Sequence, residues 1–85
     1  MRILIVEDDA ALARGLARIL ESEGYAVDTV TRGEQALLAT RNERFDLVIL
    51  DVGLPGSSGL EVCRWLRTVA RRNTPVLMLT ALSAL

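Results

Sequence analysis

Two short runs of the sequence are purely aliphatic, and each is followed directly by an acidic residue. Residues 3–6 read Ile-Leu-Ile-Val before Glu7, and residues 47–50 read Leu-Val-Ile-Leu before Asp51. Continuous rather than alternating apolar residues are typical of strands that are buried on both faces of a parallel sheet. We therefore predict two central strands that carry acids at their carboxyl ends.

The remaining segments predict three helices and two further strands. Apolar residues at helical spacing predict helices over residues 10–23, 33–41 and 59–70, and shorter runs predict strands over residues 26–30 and 76–80. The inward-facing side chains are expected to be Leu12, Leu16, Ile19 and Leu20 in the first helix, Ala36, Leu37 and Thr40 in the second, and Leu60, Cys63, Leu66 and Val69 in the third.

Residues that begin and end helices mark the first helix clearly. Asp9 precedes it and is the expected N-cap, although it also lies beside the acids Glu7 and Asp8. Gly24 follows it and fits the position just after a helix, where a left-handed backbone is common. We assign Asp9 to capping.

Strands that alternate with helices predict a doubly wound α/β fold, in which helices cover both faces of a parallel sheet. Sites in such sheets form beyond the carboxyl ends of the strands. Glu7 and Asp8 follow one predicted strand, Asp51 follows another, and Thr80 ends the last. We expect these side chains to converge.

Composition narrows the possible functions. A chain of 85 residues holds one domain, and its 51% hydrophobic content fits an aliphatic core rather than a disordered tail. The net charge of −1 gives the chain no general attraction to nucleic acid or anionic lipid. A single cysteine, Cys63, and the absence of histidine exclude an internal disulfide and a Cys/His zinc site. No apolar run is long enough for a signal peptide or a membrane span, so a cytoplasmic location is expected.

An acidic cluster at the sheet edge would have a definite chemistry. Two like charges at 4 Å repel by about 4 kcal/mol at an effective dielectric near 20, so the site should hold protons or bind a cation. Oxygen ligands without histidine or thiolate favour Mg²⁺ or Mn²⁺. A carboxylate beside such an ion can attack phosphorus, and Asp51 is the best-placed nucleophile. The Thr80 hydroxyl could then bond to a phosphoryl oxygen.

Four segments together resemble the signature of response-regulator receiver domains of two-component systems. They are Glu7-Asp8 after the first strand, Asp51 after the third, Leu54-Pro55-Gly56 with Gly59-Leu60-Glu61, and Leu79-Thr80-Ala81. Their order and spacing match across essentially the whole chain. The resemblance implies a flavodoxin-like sheet of strand order 2-1-3-4.

The resemblance also implies roles for individual residues. Asp51 would be the phosphoacceptor, supplied by a sensor histidine kinase or a small phosphodonor through largely autocatalytic chemistry rather than as a classical enzyme. Glu7, Asp8, Asp51 and the carbonyl of Gly53 would hold Mg²⁺, and Thr80 would be the switch hydroxyl. Pro55, Gly56 and Gly59 are expected to shape the loop and to touch no ligand.

The sequence departs from the family pattern after Thr80. Receivers have a fifth strand with a lysine, an aromatic switch residue and two further helices, whereas all ten basic residues here are arginines. We therefore expect residues 1–85 to be a receiver domain that is incomplete at its C-terminus. An uncovered aliphatic strand would favour self-association or element swapping. The sequence Gly-Leu-Pro-Gly at residues 53–56 resembles that of the winged-helix transcription-factor class. This resemblance implies DNA binding through another domain.

Other functions fit the pattern less well. An enzyme of the haloacid-dehalogenase kind needs a second acid two positions after its nucleophile, where this chain has Gly53. A dinucleotide-binding module needs a glycine-rich turn after the first strand, where Glu7 and Asp8 would repel a pyrophosphate. A receiver-like interaction module that takes no phosphate remains the alternative.

Overall fold

Four parallel strands and three helices alternate along the part of the chain that the structure describes, as predicted. The computed structural model describes residues 1–53, 59–68 and 73–79. The elements are β1 (Arg2–Val6), α1 (Ala10–Ser22), β2 (Ala26–Val30), α2 (Gly33–Asn42), β3 (Leu47–Asp51), α3 (Gly59–Thr68) and β4 (Val76–Leu79). The strands lie in the order β2-β1-β3-β4, which confirms the predicted sheet.

Side chains of β1 point alternately to two separate cores, because successive residues of a strand face opposite sides of the sheet. Ile3 and Ile5 pack with Ala13 of α1. Leu4 and Val6 are fully buried in the second core, to which α2 and α3 contribute. The central strand is therefore covered on both faces, which explains its continuous aliphatic sequence.

The ends of α1 follow the predicted chemistry. The Asp9 carboxylate accepts a hydrogen bond from the Leu12 backbone N–H at 3.1 Å, as an N-cap does. Gly24 has a φ of 93°, which side chains rarely tolerate, and it ends the helix just after Glu23.

The predicted buried face of α1 is partly wrong. Leu12 and Ile19 are 46% and 63% exposed. The side chains that pack against the sheet are Ala13, Leu16, Ala17 and Leu20. Successive residues are about 100° apart around a helix, so this small-residue stripe lies beside the predicted one. Alanines at two of its four positions let α1 approach the sheet closely.

The same error occurs in α3, where Leu60 is 67% exposed. Val62 and Leu66 are fully buried, and Cys63 packs at the edge of their cluster. Val69 lies outside the described residues. The prediction for α2 is confirmed for Ala36 and Thr40, which are buried, whereas Leu37 is half-buried and Ala39 takes its place against the core.

The register of β1 and β3 positions the acids. Val6 is paired with Leu50, so the next residue on each strand, Glu7 and Asp51, lies at the same level of the sheet. β2 lies on one side of β1 and β3 lies on the other, so the chain crosses from one side of β1 to the other between β2 and β3. The topological switch point is therefore at the carboxyl ends of β1 and β3. None of the described helices is both long and apolar enough to cross a membrane.

Candidate functional site

Three carboxylates meet at the switch point between β1 and β3. One oxygen each from Glu7, Asp8 and Asp51 lies within 4.8 Å of the others. The three side chains differ in exposure, because Glu7 is only 5% exposed, Asp51 is half-buried and Asp8 is exposed. The cluster thus extends from a buried carboxylate at Glu7 to an exposed one at Asp8.

Burial has a marked effect on Glu7. Loss of hydration is the largest of the causes that raise the pKa of Glu7 from 4.5 to about 7, and the proximity of Asp8 and Asp51 raises it further by smaller amounts. The second-largest influence is the Asp9 backbone N–H, which lowers the pKa. That N–H donates to Glu7 Oε1 at 3.2 Å. Glu7 therefore holds a proton near neutral pH unless a cation replaces it.

The segment that carries Asp51 is held by three hydrogen bonds to backbone groups. Asp51 Oδ1 accepts a hydrogen bond from the Gly53 N–H at 3.1 Å. The Val52 N–H donates to the Leu79 carbonyl at 3.1 Å, and the Val52 carbonyl accepts from the Gly59 N–H at 2.9 Å. The Asp51 carboxylate is consequently attached to a backbone with little freedom to shift.

The three carboxylates fit a hard divalent cation. Their donors are all oxygen, and no arginine forms an ion pair with them within the described ranges. The raised pKa of Glu7 comes mainly from burial, and the neighbouring Asp8 and Asp51 add to it. Bound Mg²⁺ would favour the ionised form of Glu7.

The remaining predicted site residues differ in what can be said of them. Gly53 is exposed and lies beside the Asp51 carboxylate, while Gly59 contacts the backbone of Asp51 and Val52. Thr80, Pro55 and Gly56 lie outside the described residues.

From the sequence, Glu7 is paired with Asp8 as a metal ligand, and the raised pKa of Glu7 is not predicted. A signal was available in the sequence, because Glu7 directly follows the aliphatic run of residues 3–6. In the structure its backbone N–H donates to the Val30 carbonyl of the adjacent strand at 3.0 Å. A residue so continuous with a central strand is expected to share its burial. Asp8, one position further, has left the sheet.

Comparisons with known proteins agree with this geometry. The family described as "Response regulator receiver domain" matches residues 3–85. The DNA-binding response regulator MtrA of Mycobacterium tuberculosis is 50% identical over 80 residues, which cover 94% of this chain and 34% of MtrA. The transcriptional regulatory protein TcrA of the same organism is 51% identical over 84 residues, covering 99% of this chain and 33% of TcrA.

A solved structure of the response regulator TrrA from Thermotoga maritima, in complex with Mg²⁺ and BeF, is also similar. It has a TM-score of 0.87 and 41% identity, with 98% of this chain and 71% of that chain covered. The present chain spans about a third of the length of the curated relatives that it matches. The match over residues 3–85, the sheet order and these relatives show that the chain belongs to the response-regulator receiver domains of two-component systems.

Proposed function

We propose that Asp51 accepts a phosphoryl group from the phosphohistidine of a sensor kinase, in a site that Glu7 and Asp8 complete with Mg²⁺. The observation that carries the proposal is the convergence of three carboxylates within 4.8 Å at the switch point of the sheet. An acidic cluster of this density is costly without a cation. Nucleophile and cation site therefore coincide.

The transfer is an in-line displacement at phosphorus. An Asp51 carboxylate oxygen forms the new O–P bond while the P–N bond to the kinase histidine breaks, and the bond's electron pair leaves with the imidazole. Mg²⁺, when bound, neutralises charge on the transferring oxygens. The Gly53 carbonyl is proposed as a further ligand, and the Thr80 hydroxyl as the group that bonds the new phosphoryl oxygen.

Asp51 is suited to this role by its position. The hydrogen bond from Gly53 to Oδ1 orients the carboxylate, and half-burial leaves one side open to a donor. Glu7 is too buried to reach a kinase, and its carboxylate is better suited to hold charge near the metal. Asp8 is exposed and complements it from the solvent side.

The proposed output is control of transcription through a DNA-binding domain outside these 85 residues, since MtrA is named as a DNA-binding response regulator. A cytoplasmic location goes with that role. The chain's net charge of −1 supports a division of labour in which this domain receives the signal and another contacts DNA.

The direct test is Mg²⁺-dependent modification of the protein. We expect acetyl phosphate with Mg²⁺ to add one phosphoryl group, seen by mass spectrometry, and beryllofluoride to shift the amide resonances of residues 51–53. Asp51→Asn should abolish both, because an amide is a poor nucleophile. Asp46→Asn, which alters an acid at the opposite end of the sheet, is the matched control and should behave as wild type.

Two results would count against the proposal. Failure of the wild-type protein to bind Mg²⁺ at millimolar concentration would contradict the metal site. Mg²⁺ binding without any adduct from either reagent, in a full-length parent protein that supplies the lysine of the family, would favour the alternative, a receiver-like interaction module that takes no phosphate.

A self-association surface is proposed on β4. Within the described part of the chain this strand has a neighbour on one side only, and Leu77 is 52% exposed. Such a strand can pair with a second copy. Sedimentation should show a mass that rises with concentration, and Leu77→Lys should return it to that of a monomer; a concentration-independent monomer in the wild type would contradict this.

A further inference from the structure

Gly59, the first residue of α3, sits unusually close to the backbone that carries the phosphoacceptor. A Cβ at this position would lie 2.7 Å from Val52 Cα and 2.8 Å from the Asp51 carbonyl oxygen. Both distances are shorter than real Cβ contacts allow, and both are to backbone atoms, which cannot rotate away. Any side chain at residue 59 would therefore displace α3 or the Asp51–Val52 segment.

The need for glycine here is steric and not conformational. Among the described glycines only Gly24 has a positive φ, so Gly59 adopts a backbone that other residues tolerate. Because glycine has no Cβ, α3 can come close enough for the Gly59 N–H to donate to the Val52 carbonyl at 2.9 Å. The close approach of α3 thus helps to hold the backbone next to Asp51 in place.

The Val52 peptide group is held from both sides. Its N–H is bonded to the Leu79 carbonyl of β4 and its carbonyl to Gly59 of α3. Asp51 precedes this residue, and the Gly53 N–H that bonds to the Asp51 carboxylate follows it. A shift of the α3 N-terminus is therefore transmitted to the carboxylate and to Gly53 together.

We propose that Gly59 is a positioning residue for the phosphoacceptor, whose missing side chain lets α3 fix Asp51 and Gly53 against Glu7 and Asp8. This inference rests on the proposed function and deepens it, because it assigns to α3 the control of the metal and phosphoryl geometry. It goes beyond the shaping of a loop, since the contact is with the residue that carries the chemistry.

The test compares two glycine-to-alanine changes in helices. Gly59→Ala adds a methyl group where there is no room. Gly15→Ala adds the same group to exposed α1, where nothing lies within 4 Å, and it is the matched control. Both variants are examined at a temperature where circular dichroism shows the native fold. Mn²⁺ binding is followed by electron paramagnetic resonance and Mg²⁺ binding by amide shifts.

We expect Gly59→Ala to weaken Mg²⁺ and Mn²⁺ binding by about tenfold or more, as loss of a supporting contact around metal ligands typically does. The amide resonances of Asp51 and Gly53 should shift already in the metal-free protein. Phosphorylation by acetyl phosphate should slow by a similar factor. Gly15→Ala should match wild type in metal affinity and should melt at the same or a higher temperature, because alanine favours a helix.

A purely structural role would give a different result. Gly59→Ala would then melt earlier but bind metal with wild-type affinity while folded, and that outcome would overturn the inference. If Gly59→Ala does not fold, the measurements are made in the Gly15→Ala background with trimethylamine oxide, which strengthens the folded state. Loss of the fold even there would also overturn the inference, because Gly59 would then belong to the core rather than to the site.

The outcome also separates this inference from the proposed function. Wild-type protein that binds metal and takes phosphate, together with an unaffected Gly59→Ala, would refute the positioning role alone. Wild-type protein that takes no phosphate would refute the proposed function. Metal affinity and the Gly53 amide shift would still report on Gly59 in that case.

Discussion

The two ends of the sheet both carry acidic side chains but surround them differently. At the amino end, the Arg2 guanidinium lies 2.7 Å from Asp28 and 2.6 Å from Glu43, and it stacks over the Phe45 ring. The backbone N–H of Arg2 also donates to Asp46 at 2.7 Å. Asp28, Glu43 and Asp46 therefore each have a cationic or hydrogen-bonding partner.

At the carboxyl end, Glu7, Asp8 and Asp51 face one another, and no arginine pairs with them within the ranges described. The hydrogen bond to Asp28 and the charges of Asp28 and Glu43 raise the pKa of Arg2, which remains charged. Burial and like charges instead drive Glu7 towards its neutral form. The three acidic side chains at the amino end of the sheet are thus paired. The three at the carboxyl end, where the chemistry is proposed, have no cationic partner among the described residues.

The largest expected effect comes from neutralising Glu7. In metal-free protein the native state keeps this proton up to about pH 7, whereas an ordinary glutamate loses it near 4.5. The resulting stabilisation is complete below pH 4.5 and is lost as the pH rises through 7, a change of about 3 kcal/mol in the free energy of unfolding. Glu7→Gln should remove this pH dependence and be more stable than wild type at pH 8.

Urea unfolding between pH 5 and 8 with a chelator present measures this effect. Glu21→Gln, which changes an exposed acid on α1, should keep the wild-type slope. An unchanged slope in Glu7→Gln would show that burial does not perturb Glu7, and the comparison of the two ends would fail.

The next effect concerns Asp9, an acid at the carboxyl end that does have a partner. Its carboxylate accepts the Leu12 N–H at 3.1 Å, so Asp9→Ala should lower the free energy of unfolding by about 1 kcal/mol. Asp9→Ala should therefore lower the free energy of unfolding, whereas Glu7→Gln should raise it at pH 8, although the two acids are only two residues apart. Thermal unfolding measures the loss, and Asp9→Asn, which retains a capping oxygen, should remain close to wild type.

The smallest effect is expected at the amino end. Arg2→Met removes ion pairs whose side chains are 42% to 47% exposed, and pairs of this kind contribute little in water. The melting temperature should fall less than in Asp9→Ala, and the difference from wild type should shrink in high salt. Arg14→Met, on the exposed side of α1, is the control. A fall larger than that of Asp9→Ala would mean that the amino end contributes more to folding than its exposure indicates.

Much of the fold and the outline of the site could be predicted from residues 3–6 and 47–50 alone. A run of aliphatic residues without alternation has few stable environments other than a central parallel strand. Acids directly after such runs must then lie at one edge of the sheet, which is why the sequence alone groups Glu7, Asp8 and Asp51. The cap at Asp9 and the stop at Gly24 are equally local features.

The helix faces were harder to predict. Leu12, Ile19 and Leu60 are strongly hydrophobic but exposed, while Ala13 and Val62 are buried. Two neighbouring stripes of α1 are both apolar, and the choice between them depends on which fits the sheet at close distance. Sequence periodicity records where apolar residues recur and does not record that fit.

The sequence by itself determined the alternation of strands and helices, their limits to within a few residues, and the acids that end β1 and β3. Only the tertiary structure decided that Glu7 holds its proton to about pH 7 and that Gly59 touches the Asp51 backbone. The physical reason is how far apart along the chain the interacting residues lie. Strand burial and helix caps follow from residues close in the chain, whereas dehydration of a carboxylate and the close approach of Gly59 to the backbone of Asp51 and Val52 depend on segments that folding brings together.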